Sequence, residues 1–329
     1  MSLLEVSAVS HWYTSPGASP PVLRDVNFSM APNEVVALVG ESGCGKTTLG
    51  KLVAGLHRPS TGDVKFEGTP IWSLEGNEKR RYRRAVQLVH QDPYASLNPG
   101  VTIGDTIAPA LVRNRLARRR DASSAVVQSL LAVGLEASAQ FLDRYPHELS
   151  GGQRQRVAIA RAISLRPSLI VADEATSMLD VSVRVAVLDV LLSLRQAQGL
   201  AYLFISHDFG VVRYFARGGR ILVMLYGVLV EEGPTEEVIA HALHPYTVLL
   251  LQSVPVPDPS LNRERRRRQL PLVLGGPAPP RGCAFSARCP FAKEVCHAVA
   301  PPRAEVVAGH WARCWFPGVA LGARQALQP

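Results

Sequence analysis

Apolar residues along the chain follow two spacings that are typical of β-strands. They roughly alternate with polar residues from Leu3 to Val9 and from Val22 to Met30, which predicts strands with one buried face. Shorter, continuous apolar runs predict strands that are covered on both faces. These runs are Val35–Val39, Leu169–Ala172, Tyr202–Ile205 and Ile221–Leu225, and Val86–His90 is predicted as a further strand.

Helical patterns separate the continuous runs. Helices are predicted around Thr47–Leu56, Val157–Ile163 and Val183–Gln196. Strands that alternate with helices predict a mainly parallel sheet with helices on both faces. Residues from about 98 to 142 are dominated by Ala, Leu, Val and Arg at helical spacing, so we expect a helical insertion there.

The composition changes after Val254. The next stretch is rich in proline and arginine, which predicts a linker or a loosely packed extension. We therefore divide the chain into a main domain over residues 1–255 and a C-terminal part over residues 256–329. The arginine run Arg263–Arg268 fits a solvated linker, and it also fits a segment attracted to anionic lipid head groups.

The net charge of the chain excludes few classes of binding partner. A formal net charge of +9 suits nucleic acid, a membrane surface or phosphate ligands equally well. No segment approaches the ~20 apolar residues that a membrane-spanning helix needs. The first ten residues lack the basic start and apolar core of a signal peptide. We expect a protein that is cytosolic, or held at a membrane by partners.

Directly after the run Val35–Val39 the chain reads GESGCGKTT. This stretch fits the pattern G-x-x-x-x-G-K-[ST], whose backbone N–H groups surround phosphate oxygens. Lys46 can then reach the β- and γ-phosphates, and the Thr47 hydroxyl can bind Mg²⁺. A glycine-rich turn with a chance lysine is the simpler interpretation, but the strand before and the helix after favour a nucleoside triphosphate site. The residues assigned to this phosphate loop are Gly40, Ser42, Gly43, Gly45, Lys46, Thr47 and Thr48.

Two acidic residues, Asp173 and Glu174, follow the apolar run Leu169–Ala172. An aspartate at the end of a buried strand can hold Mg²⁺, and the adjoining glutamate can act as general base on an attacking water. Alone, such a pair is more often a solvated strand end. The phosphate loop upstream favours the catalytic interpretation.

The stretch LSGGQ, residues 149–153, continues as RQRVAIARA. Together with the phosphate loop and the acidic pair, it resembles ATP-binding cassette (ABC) ATPases, whose signature is LSGGQ. The resemblance covers about residues 3–255. It implies an α/β P-loop NTPase cassette with a RecA-like, mainly parallel sheet, an antiparallel β subdomain and a helical subdomain over about residues 92–165. A small, cysteine-rich C-terminal extension would be added to this cassette.

The resemblance also implies roles for single residues. Tyr13 would stack on adenine, Gln91 would sense Mg²⁺ and the γ-phosphate, and His207 would contact the γ-phosphate. The catalytic set is then Glu174, His207 and Gln91, and the Mg²⁺ set is Thr47, Gln91 and Asp173. Each residue alone has a simpler interpretation, such as a core tyrosine, a surface amide or a histidine at a strand end. Their occurrence in this order favours the family roles.

The family mechanism places ATP between two cassettes. The signature residues Ser150, Gly151 and Gly152 would complete the site of a second cassette, either a paralogue or a copy of this chain. Gln153, and Asp180 of the D-loop (Ser177–Asp180), are also assigned to nucleotide binding. Binding of ATP would close the dimer and hydrolysis would release it. Two residues depart from the family pattern: Ala175 replaces the usual proline, and Met178 replaces the usual alanine at the expected dimer interface.

Three further stretches resemble the cassettes of dipeptide and oligopeptide importers. These are QDPYASLNP (Gln91–Pro99), YPHELSGGQRQRVAIARA (Tyr145–Ala162) and HPYT (His244–Thr247). This branch implies two transmembrane permease subunits, an extracytoplasmic substrate-binding protein, no nucleic acid, and a peripheral location at the cytoplasmic face of the inner membrane. Importers of nickel or sugar, and soluble ABC ATPases that act on nucleic acid or ribosomes, remain alternatives.

Four cysteines lie within the last fifty residues, at positions Cys283, Cys289, Cys296 and Cys314. A reducing compartment disfavours disulfides, and thiolates at this density favour a soft metal or a cluster. Zinc sites more often use the C-x₂-C spacing, which is absent here. Four widely spaced thiolates suit a [4Fe–4S] cluster, as the resemblance to peptide-importer cassettes also implies, with Zn²⁺ as the first alternative and unligated cysteines as the second.

Overall fold

The structure is a computed structural model, and it describes residues 2–14, 19–136, 138–254 and 281–320. The predicted linker after residue 255 and the arginine run Arg263–Arg268 lie outside the described residues. Part of the turn Ser15–Pro21 does so as well.

Twelve strands occur in the described part of the chain. They are β1 (Leu4–His11), β2 (Leu23–Met30), β3 (Val35–Val39), β4 (Thr61–Phe66), β5 (Thr69–Pro70), β6 (Val86–Val89), β7 (Leu169–Asp173), β8 (Ala201–Ser206), β9 (Arg220–Leu225), β10 (Val228–Pro234), β11 (Ala304–Val307) and β12 (His310–Ala312). The four continuous apolar runs of the sequence all form strands, and so does the further predicted strand that begins at Val86.

Twelve α-helices occur in the same described ranges. They are α1 (Lys46–Val53), α2 (Gly76–Ala85), α3 (Pro93–Ser96), α4 (Ile103–Arg113), α5 (Ala122–Leu131), α6 (Ala139–Leu142), α7 (Gly151–Ser164), α8 (Val181–Gln198), α9 (Phe209–Phe215), α10 (Thr235–Ala240), α11 (Pro245–Gln252) and α12 (Glu294–Ala298). Two single 3₁₀ turns, Arg119–Asp121 and Pro146–Glu148, complete the list.

The main sheet contains eight of the described strands, in the order β11-β12-β10-β9-β3-β8-β7-β6. The five strands from β9 to β6 run parallel to one another, and β10, β12 and β11 continue the sheet in antiparallel fashion. A second, antiparallel sheet has the order β2-β1-β4-β5. The predicted combination of a mainly parallel core with an antiparallel β subdomain is confirmed.

Strand β3 shows why its sequence is apolar at every position. Val35, Ala37 and Val39 belong to one core, which includes α8 and the helical layer around Ile103 and Ile107. Val36 and Leu38 belong to a second core, between the two sheets and α1. All five residues are fully buried, because each face of the strand is covered.

The predicted helical insertion is present as α4, α5 and α6; α4 and α5 pack against α7, and α6 packs against α4. Its apolar positions Ile103, Ile107 and Val126 are fully buried. The run Ile221–Val230, which is apolar throughout, is split by a turn at Tyr226 and Gly227. Both residues have positive φ, 46° and 78°, as a tight hairpin turn requires. The turn therefore converts one apolar run into the antiparallel pair β9–β10.

In the part of the chain that the structure describes, every helix is too short or too polar to cross a lipid bilayer.

Candidate nucleotide-binding site

The phosphate loop lies between β3 and α1. Gly43 and Gly45 have φ values of 79° and 112°, a region that side chains with a Cβ rarely adopt. At Gly40 a Cβ would lie 2.2 Å from the carbonyl oxygen of Met224, so only glycine fits against β9. These glycines bend the backbone around the start of α1, where helix N–H groups point towards a bound anion.

Lys46 is the first residue of α1 and its side chain is buried within the loop. Its Nζ donates hydrogen bonds to the carbonyl oxygens of Gly40, at 2.8 Å, and Glu41, at 2.9 Å. The residue is 5% exposed. A buried ammonium whose partners are neutral groups favours an incoming anion, because a charged partner would compensate its desolvation better.

Thr47 and Asp173 meet at the neighbouring position. The Thr47 hydroxyl donates to Oδ1 of Asp173 at 3.2 Å, and Asp173 ends the buried strand β7. Burial raises the pKa of Asp173, while the hydrogen bond from Thr47 opposes this shift. A hydroxyl and a carboxylate are oxygen ligands of the kind that Mg²⁺ prefers, so these two residues fit the predicted metal position.

Glu174 and His207 lie on the same edge of the sheet, at the ends of β7 and β8. Oε1 of Glu174 is 3.2 Å from Nδ1 of His207. Glu174 has a φ of 47°, which is uncommon for a residue with a long side chain. Its backbone N–H donates to the carbonyl of Ile205 on β8, which holds this conformation. Left-handed backbone at non-glycine positions is concentrated at functional sites.

Tyr13 contacts the phosphate-loop helix from the antiparallel sheet. Its hydroxyl is hydrogen-bonded to that of Thr48 at 3.1 Å. Its ring is 56% exposed and is packed edge-on against His11 and His57. The exposed part of the side chain is therefore available for contact with a planar base.

Gln91 and Ser42 are placed near the site without a described side-chain contact to it. Gln91 is exposed and follows β6, which pairs in parallel with β7 so that Val89 lies opposite Ala172. This register brings the residues after β6 to the edge of the sheet that carries Asp173. Ser42 is exposed in the middle of the phosphate loop.

The signature forms the start of α7. Ser150 caps the helix by accepting from the N–H of Gln153 at 3.3 Å, and Oε1 of Gln153 accepts from the N–H of Ser150 at 2.9 Å. A Cβ on Gly152 would lie 2.4 Å from Val183, so this glycine permits close contact with α8. Within the chain the signature thus contacts the D-loop side of α8 and presents its helix N-terminus outwards.

Comparison with known proteins identifies this combination. Residues 23–177 match a family described as ABC transporter, and residues 230–296 match one described as oligopeptide/dipeptide transporter, C-terminal region. A probable peptide ABC transporter ATP-binding protein of Sinorhizobium fredii is 45% identical, over 89% of this chain and 83% of its own length. The chain belongs to the ABC transporter ATPase family.

Two other relatives extend the comparison. The di/tripeptide transport ATP-binding protein DppF of Pseudomonas aeruginosa is 43% identical, over 85% of each chain. The solved dimer of the ATP-binding cassette MJ0796 in a post-hydrolysis state, bound to ADP and Pi, has a TM-score of 0.62 at 27% identity, covering 70% of this chain and 98% of its own. The predicted family and the cassette fold are both confirmed.

Exposed apolar side chains lie on both sides of Asp180. Met178, Val181 and Val185 are 59%, 75% and 42% exposed, and they flank Asp180 at the start of α8. Apolar side chains grouped beside a functional site are typical of a surface that another protein covers. Met178, which departs from the family pattern, lies within this surface.

The four cysteines of the extension line one small cavity, together with His244 and Phe285. Burial raises the pKa of Cys289 and of Cys314 to about 11. Nevertheless, no three His, Cys, Asp or Glu side chains in the described ranges are arranged to hold a metal ion. The four thiols share a cavity, but the described residues do not show the predicted metal-site geometry.

Two residues that the sequence patterns did not indicate also lie beside the candidate nucleotide site. His90 is close enough to Asp173 for the carboxylate to oppose the lowering of its pKa, which burial causes. Arg288, between two of the cysteines, forms an ion pair with Glu41 of the phosphate loop at 2.6 Å. No local signal in the sequence pairs residues that are 247 positions apart.

Proposed function

We propose that this chain is the ATP-hydrolysing subunit of an ABC importer that takes up peptides across the cytoplasmic membrane. Peptide is proposed as the transported solute because residues 230–296 match the oligopeptide/dipeptide transporter C-terminal region. The relatives of the chain are also named for peptide transport. The catalytic geometry supports the ATPase part independently of any name.

The proposed hydrolysis uses residues at the carboxyl edge of the parallel strands. Lys46 neutralises the β- and γ-phosphates of ATP, and backbone N–H groups of the loop orient them. Thr47 and Asp173 would hold Mg²⁺, which offsets the negative charge that develops on the phosphates. Glu174 takes the proton from the attacking water, and His207 holds the Glu174 side chain while facing the γ-phosphate. Gln91 would complete this set once nucleotide is bound.

The second half of the site comes from a second cassette, a paralogue or a copy of this chain. The exposed helix N-terminus at Ser150 and the apolar D-loop surface at Met178 and Val181 support this arrangement. ATP then closes the dimer, because its phosphates contact both subunits. Closure is the step that moves the permeases, since the ligand stabilises only the closed state.

The proposed partners are two transmembrane permease subunits and an extracytoplasmic substrate-binding protein. The chain would bind the permeases from the cytoplasmic face through the loop Gln91–Pro99, as a peripheral subunit. The exposure of Gln91 and Tyr94 supports this surface.

We further propose that the four cysteines hold a [4Fe–4S] cluster, with Zn²⁺ as the alternative. Convergence of all four thiols on one cavity supports the proposal. The role would be structural, because the extension has few large apolar side chains and small segments commonly need a crosslink or metal for stability.

Uptake measured with the complete transporter tests the function. Proteoliposomes that contain this chain and its permeases, given the binding protein and ATP, should accumulate a labelled di- or oligopeptide. Lys46→Ala in this chain should abolish accumulation. Accumulation of nickel or sugar without peptide would replace the proposed cargo. Recovery of the native chain with ribosomes, and not with permeases, would refute the importer function.

A further inference from the structure

The cysteine-bearing segment contacts the phosphate loop directly. The two terminal guanidinium nitrogens of Arg288 donate to the two carboxylate oxygens of Glu41, at 2.8 and 2.6 Å. Glu41 is the second residue of the phosphate loop, and Arg288 immediately precedes Cys289. Two parallel, charge-assisted hydrogen bonds fix both the distance and the orientation of the partners.

The surroundings of Arg288 hold it in place. Its side chain is only 16% exposed, and its guanidinium carbon lies 5.6 Å from the ring centre of Phe285. Phe285 is 1% exposed and its ring is 5.5 Å from that of Tyr246 on α11. A partly buried bidentate pair on a rigid support contributes more than the usual surface ion pair.

Every polar group of Glu41 is engaged. Its N–H donates to the hydroxyl of Tyr246 at 2.9 Å, its carbonyl accepts from Lys46 at 2.9 Å, and its carboxylate accepts from Arg288. Two of these three partners lie after residue 240, in the part of the chain that matches the oligopeptide/dipeptide transporter C-terminal region. The start of the phosphate loop is thus held from the C-terminal side.

We infer that Arg288 is a positioning residue for the phosphate loop, so that the affinity of the cassette for ATP depends on the C-terminal extension. The inference rests on the proposed function, in which ATP binds at this loop. Arg288 fixes the backbone at Glu41 and compensates its carboxylate. Without Arg288, a free negative charge on the loop would repel the phosphates of ATP.

The chain provides a matched control. Arg313 of the extension also pairs with a carboxylate of the cassette, Asp25 on β2, at 3.0 Å. That pair joins the same two parts of the chain, but Asp25 does not belong to the phosphate loop. Loss of Arg313 therefore reports on attachment of the extension alone.

The experiment compares full-length variants by titration with a fluorescent ATP analogue, and by ATPase assay in the assembled transporter. Arg288→Ala should weaken analogue binding about tenfold and raise the KM for ATP similarly, with kcat at saturating ATP unchanged within about twofold. Arg288→Lys should be intermediate, because it keeps the charge but not the bidentate geometry. Arg313→Ala should bind like the wild type.

Removal of the uncompensated charge gives a further, independent readout. Glu41→Gln combined with Arg288→Ala should bind the analogue more tightly than Arg288→Ala alone, since no free carboxylate remains. Unchanged affinity in both Arg288 variants would overturn the inference, as would an equal loss in Arg313→Ala. If the wild type itself binds no better than Lys46→Ala, it is the proposed ATP site that fails, and not the role of Arg288.

Discussion

Nδ1 of His207 lies 3.2 Å from Oε1 of Glu174, across the ends of two neighbouring parallel strands. The contact joins the residue proposed as general base to the residue proposed to face the γ-phosphate. His207 is half exposed, whereas the Glu174 side chain is 14% exposed, so the pair points from the protein towards the solvent side of the site. A water bound between this pair and a γ-phosphate would be in reach of the base.

Glu174→Gln removes the base but keeps the shape of the side chain. Turnover by the assembled transporter should fall at least about 100-fold, in line with the contribution of a positioned general base. Nucleotide binding should be kept, and the closed dimer should accumulate with ATP. Phosphate release and size-exclusion chromatography measure the two effects. Hydrolysis at the wild-type rate would show that Glu174 is not the base.

Lys46→Ala should act on binding itself. The substitution removes the ammonium from the phosphates and removes the hydrogen bonds that it donates to the carbonyls of Gly40 and Glu41. Charge-assisted hydrogen bonds contribute about 1.5–3 kcal/mol, so affinity should fall about 10- to 100-fold. Lys51→Ala, in the last turn of the same helix, is the matched control and should bind normally. Equal effects of both substitutions would argue against a specific role of Lys46.

Ser150→Arg tests whether the signature acts on a second cassette. The variant should bind ATP with wild-type affinity as an isolated subunit, because Ser150 does not contact the phosphate loop of its own chain in the described structure. It should lose ATP-dependent dimer formation, since a bulky cation would occupy the trans phosphate position. Thr102→Arg removes a comparable N-cap from α4 and is the control. Loss of an N-cap costs about 1 kcal/mol of helix stability, so this variant shows the effect of that loss alone. Impaired ATP binding by isolated Ser150→Arg would contradict the trans arrangement.

His11 makes stability depend on pH. Burial lowers the pKa of His11, and the nearby His57 lowers it further. Below the ordinary histidine pKa of about 6.5 the unfolded chain therefore binds more protons than the native protein, and the free energy of unfolding falls as pH decreases. His11→Phe keeps a ring beside Tyr13 and removes the titration. The difference in Tm between this variant and the wild type should shift in favour of the variant as the pH falls from 7.5 to 5.5. A constant difference would show that His11 is not the group responsible.

Local patterns in the sequence were sufficient for the core and for the position of the phosphate loop between a strand and a helix. Strand β3 is apolar at every position because both faces are buried, and the adjoining loop carries its glycines where positive φ is required. Strand β11 shows the limit. All four of its residues are exposed, so the stretch AEVV carries no pattern of one buried face that would indicate an edge strand of the main sheet. The pair Arg288–Glu41 is equally invisible, because its contact depends on the complete fold.

The four cysteines give the most demanding prediction, because their thiols share a cavity without metal-site geometry. If they hold the proposed cluster, full-length protein purified without oxygen should be brown, with broad absorption near roughly 400 nm and about four iron atoms per chain. Cys289→Ser should lose the iron and lower the Tm. Cys44→Ser is the matched control, since Cys44 belongs to the phosphate loop, and should keep the iron. Colourless protein with one zinc per chain would establish the zinc alternative. Protein with neither metal would refute both, and the extension would then be stabilised by its strands β11 and β12 and by ion pairs such as Arg313–Asp25.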